Sequence, residues 1–249
     1  AKPAAGLPQS QPAVLKESPL NFFIHEGRNE DKILVTYDFA GAAKNGSTPL
    51  CINVNEDNLL ALKTLVHRTG ISTKSPSEVI SALQRYSKRH TVNGVNVQSL
   101  DKSSFGRCVR DLVPASASQN MTSSEMEQFS SLFNSLFHCY VDANGASQDS
   151  VNTKELAVGF SILCAGNKSS KLVAGFDLIA EKTGAVNDDL LAQYLRSYLI
   201  MLIGISLLSP TTVSNQAVLL KSQTELIMAV DSGIRWTLSH FRQSDRRIG

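Results

Sequence analysis

Residues 136–195, LFHCYVDANGASQDSVNTKELAVGFSILCAGNKSSKLVAGFDLIAEKTGAVNDDLLAQYL, decide how the chain is read. An aromatic-rich helix ends near Tyr140, and a polar loop from Asp142 to Asn152 follows it. A second helix is expected from Thr153 to Cys164, stopped at Gly166. A third covers about Ser169 to Lys182 with Gly184 as its stop, and a fourth begins at Asn187 and runs to Leu208. The apolar residues recur at i, i+3 and i+4, the period of an amphipathic helix, and the glycines sit where helices end. Two helix–loop–helix units in tandem follow from that spacing.

Upstream, Thr122-Ser123-Ser124-Glu125 is a capping box, in which the Thr122 hydroxyl and the Glu125 carboxylate each satisfy an end amide of the same helix. The helix it opens turns Met126, Phe129, Phe133, Leu136, Phe137 and Tyr140 to one side. Ser75-Pro76-Ser77-Glu78 repeats the design with Pro76 at the first helical position. Its helix runs to about Lys88 and buries Val79, Ile80, Leu83 and Tyr86. Asn55 caps an earlier helix with Leu59, Leu60, Leu62 and Leu65 as its apolar face and Gly70 as its stop. Beyond a turn at Asn93-Gly94, another helix is expected from about Ser99 to Leu112, with Val95 and Val97 suited to a short strand before it. Further back, residues 33–39 (ILVTYDF) and 50–54 (LCINV) are β-branched and aromatic, and Asn45-Gly46 lies between them, the pattern of a β-hairpin. A last long helix spans about Ser214 to Gln243. The expected fold class is mainly α, with a small N-terminal β-hairpin and long C-terminal helices. Residues 1–18 read as a flexible tail, 19–114 as the β-hairpin with helical hairpins, and 121–249 as the tandem units with the C-terminal helices.

The composition fits an ordinary globular protein: 249 residues, 42% hydrophobic and 18% charged. A formal charge of +2 is too small for a nucleic-acid partner. The basic runs Arg85, Lys88, Arg89, His90 and Arg242, Arg246, Arg247 read as solvated helix ends. The longest apolar run, Leu199 to Leu208, is half of what a bilayer needs, so a buried helix and no transmembrane segment are expected. Cys51, Cys108, Cys139 and Cys164 form no CxxC pair and read as buried, reduced thiols. The expected setting is intracellular and reducing. It is cytoplasmic, or organellar if the Ala-, Pro-, Gln- and Ser-rich start is the remnant of a removed targeting peptide.

Val151, Glu155, Leu156, Gly159, Leu163, Cys164, Gly166, Lys171, Leu172, Phe176, Gly184, Val186, Tyr194 and Leu195 fall on a template of helix faces and loop positions. On these residues the region 129–206 resembles a degenerate paired EF-hand module. The resemblance implies that Val151 and Val186, each at the eighth loop position, join the two loops in a short two-stranded contact. The pair of helices at 75–88 and 99–112 is either a further degenerate unit or an ordinary helical hairpin.

The resemblance also implies calcium, and the loops lack its chemistry. Calcium takes six to eight oxygens, with a bidentate Glu at the twelfth loop position. With Val151 at position eight, Asn144, Ala146 and Gln148 stand at one, three and five, Asp149 replaces the usual glycine at six, and only Glu155 at twelve is retained. A frame starting at Asp142 puts Thr153 at twelve. The second loop has Ile179 at one and Leu190 at twelve, which no hard cation accepts. No cofactor is expected; if calcium binds at all, its ligands are Asp142, Asn144, Asp149 and Glu155.

No GxGxxG, Walker, HExxH or GxSxG motif occurs. His138 and Cys139 are adjacent on a helix and point about 100° apart, so they form no nucleophile–base pair. A non-catalytic interaction or structural subunit is therefore the leading reading. Its partner is a protein, an amphipathic helix or a larger assembly, docking in a groove lined by Phe133, Phe137, Leu156, Phe160, Leu172 and Phe176, unless these form the module's own core. The alternatives are a calcium-responsive sensor using residues 142–155 and a small-molecule-binding helical domain.

Overall fold

A computed structural model describes residues 21–24, 32–39, 50–92, 94–141, 150–180, 187–207, 227 and 230–240. Near the N-terminus, β1 (Asn21–Ile24), β2 (Ile33–Phe39) and β3 (Leu50–Asn55) form an antiparallel sheet in that order. Tyr37 is the register partner of both Phe22 and Ile52. The chain passes directly from β3 into α1 (Glu56–Arg68), whose Glu56 amide donates to the Lys32 carbonyl at 2.9 Å. Gly70, at φ 72°, turns the chain off this helix, a backbone angle that glycine adopts without a Cβ penalty.

The remaining described elements are α2 (Pro76–Tyr86), β4 (Lys88–Val92), β5 (Val95–Asp101), α3 (Lys102–Leu112), α4 (Ala115–Gln119), α5 (Ser123–Cys139), β6 (Ser150–Asn152), α6 (Thr153–Phe160), α7 (Lys168–Ala180) and α8 (Asp188–Leu207). A helical segment over 230–240, here α9, completes them. The described part is mainly helical. Both capping boxes form: Glu78 closes on Ser75 and Glu125 on Thr122. Among the described residues no helix is long and apolar enough to cross a membrane.

Sequence expectations change over residues 88–101. Lys88 to Val92 is a strand, where Lys88 was expected to end a helix and Arg89 and His90 to be solvated around it. Strand β4 pairs antiparallel with β5, and Gly94 between them takes φ 80°, the left-handed backbone that a tight hairpin turn needs. Exposed Lys88, Arg89 and His90 then keep this sheet edge from pairing with another chain. Strand β5 extends to Asp101, so α3 starts three residues later than its periodicity suggests. Val151 has a described partner that the sequence did not suggest. It lies opposite Leu100 of β5 and bridges to Val141, so β6 joins the α5–α6 unit to the α2–α3 unit. Val186 lies outside the described residues.

Leu100 and Val151, 0% and 1% exposed, anchor this join in a core that runs from Leu65 to Ile234. The core draws on both expected segments, 19–114 and 121–249. Phe105 stacks on Phe137 with ring centroids 5.2 Å apart and meets Phe160 edge-on at 5.6 Å. Phe133 reaches Phe160 at 5.5 Å. Gly159 lets α6 lie close to α8: a Cβ there would overlap the Tyr140 hydroxyl and sit 3.0 Å from the Ser197 carbonyl. That hydroxyl donates to the same carbonyl, linking the end of α5 to α8 behind α6.

Candidate functional site

The site grows from the start of α6. Strand β6 fixes Val151, and the next residue, Asn152, caps the helix by accepting from the Lys154 and Glu155 amides at 2.9 and 3.3 Å. Glu155 thereby falls in the first turn, where the helix dipole favours a carboxylate. It is directed at α8. Its Oε2 accepts from Arg196 Nη1 at 2.7 Å and its Oε1 from Gln193 Nε2 at 3.1 Å. Gln193 and Arg196 are three residues apart on a helix and share a face, so both reach one carboxylate.

Arg196 also faces α9. Its Nε is buried and lies 3.0 Å from Asp231 Oδ1, off the line of a hydrogen bond, so that contact is Coulombic. The Glu155 and Arg196 side chains are only 12% and 19% exposed, whereas Lys32–Asp57 and Lys88–Asp101 are open to solvent. Losing one member of a shielded pair strands the other charge, which costs far more than breaking a surface pair.

Beside this cluster, α6, α8 and α9 border an open cleft of about 740 Å³. Glu155, Gln193, Arg196 and Asp231 supply polar lining, Ile234 and Leu238 apolar lining, and Asp188 and Asp189 come from the first turn of α8. Among the described residues, no group of three His, Cys, Asp or Glu side chains converges as a metal site.

The expected site residues separate into three sets. Asp142, Asn144 and Asp149 lie outside the described residues, and Glu155 is held as described above. Phe133, Phe137, Leu156 and Phe160 are core, the last three fully buried. Leu172 and Phe176 lie on the outer side of α7 with Val173, which is 57% exposed. There the Phe176 ring meets Tyr194 of α8 edge-on at 6.0 Å. The six residues therefore do not line one groove: four fill the module and two face out.

The sequence reading missed Arg196, Gln193 and Asp231. A signal existed for the first, since Arg196 is the sole basic residue of α8 in an otherwise largely apolar helix. Cys108, Cys139 and Cys164 offer no nucleophile: burial pushes their thiols up to about 12, which leaves little thiolate at neutral pH. No protein-family model and no curated protein matches the chain.

Proposed function

We propose that the chain is a non-catalytic protein–protein interaction or structural subunit, built on EF-hand-like helix–loop–helix units that work without calcium. The observation that carries this reading is the engagement of Glu155, the one carboxylate left at a twelfth loop position. A calcium-loop glutamate turns both oxygens on the ion. Here one oxygen accepts from Arg196 and the other from Gln193, so a guanidinium of the chain itself supplies the positive charge. The antiparallel join of Leu100 to Val151 supports the same reading, and it makes the α2–α3 unit the partner of the α5–α6 unit.

The partner surface in this account is the outer side of α7. Leu172, Val173 and Phe176 form an exposed apolar stripe there, of the kind that takes the apolar side of an amphipathic helix. Exchanging Val173 and Phe176 for Asp tests it, because both are exposed and their loss leaves the core intact. The double variant is expected to melt at the same temperature as the parent and to lose the proteins that the parent captures from cell extract. An unchanged captured set from an equally stable variant would contradict the assignment.

A further inference from the structure

We draw no further inference here: the strongest candidate, the open cleft bordered by α6, α8 and α9, is walled by the Glu155–Arg196–Asp231 cluster already described, and nothing among the described residues shows what would occupy it.

Discussion

In the reading proposed above, the Glu155 carboxylate neutralises a shielded guanidinium from α8 instead of ligating a divalent ion from its own loop. A partly buried arginine with its counter-charge removed is costly, so the internal pair holds the carboxylate wherever the rest of the loop is poor in ligands. Arg196→Met is expected to destabilise the chain by about 3 kcal/mol, since it takes the guanidinium from the shielded Glu155 carboxylate. Glu155→Gln combined with Arg196→Met is expected to cost less than the two single changes together, with a coupling of about 1–3 kcal/mol in urea unfolding. Strict additivity would mean the contact contributes nothing. Asp101 offers a second test at this scale. The Ser104 amide, and after it the Lys88 ammonium, hold its carboxyl down at about 2. A depressed carboxylate stabilises the fold above its unfolded pKa of about 3.9 and loses that contribution as pH falls toward its folded value. Asp101→Ala is therefore expected to cost about 1 kcal/mol at neutral pH as a lost cap, and the gap to the parent should close between about pH 4 and 2. A gap that stays constant in urea melts over that range would contradict the charge argument.

Among the elements, those set by neighbours in sequence were legible. Both capping boxes, the glycine stop at Gly70 and the amphipathic stripes of α2 and α5 depend on residues within a turn or two, and the sequence displays them directly. Strand partners are different. Val151 reads equally well as a partner for any short apolar strand, and its place opposite Leu100 is set by how whole units pack. The same limit applies to the groove. Phe133, Phe137, Leu156 and Phe160 carry the pattern of a buried stripe, and periodicity cannot tell a stripe that lines a cleft from one that fills a core. Arg196 was visible as a lone basic residue in α8, but its partners come from α6 and α9, distant in sequence. Gly159 is the element-scale test: its missing Cβ is what lets Tyr140 pass between α6 and α8 to the Ser197 carbonyl. Gly159→Ala is expected to destabilise by about 3 kcal/mol through overpacking, despite the better helix propensity of alanine. A variant as stable as the parent would mean that α6 and α8 separate freely.

Among the described residues, one core ties Leu100 and Val151 of the β5–β6 ladder to α1, α2, α3, α5, α6, α8 and α9, so these elements pack as one body. Within it the Glu155–Arg196–Asp231 cluster joins α6, α8 and α9. The central claim is that this body holds its shape by an internal cation instead of calcium. Calorimetric titration of the full chain with calcium, with thermal melts in calcium and in chelator, tests that claim most directly. The account predicts no binding heat and the same melting temperature in both buffers. Micromolar binding with a raised melting temperature would contradict it, and would make residues 142–155 the loop of a calcium sensor.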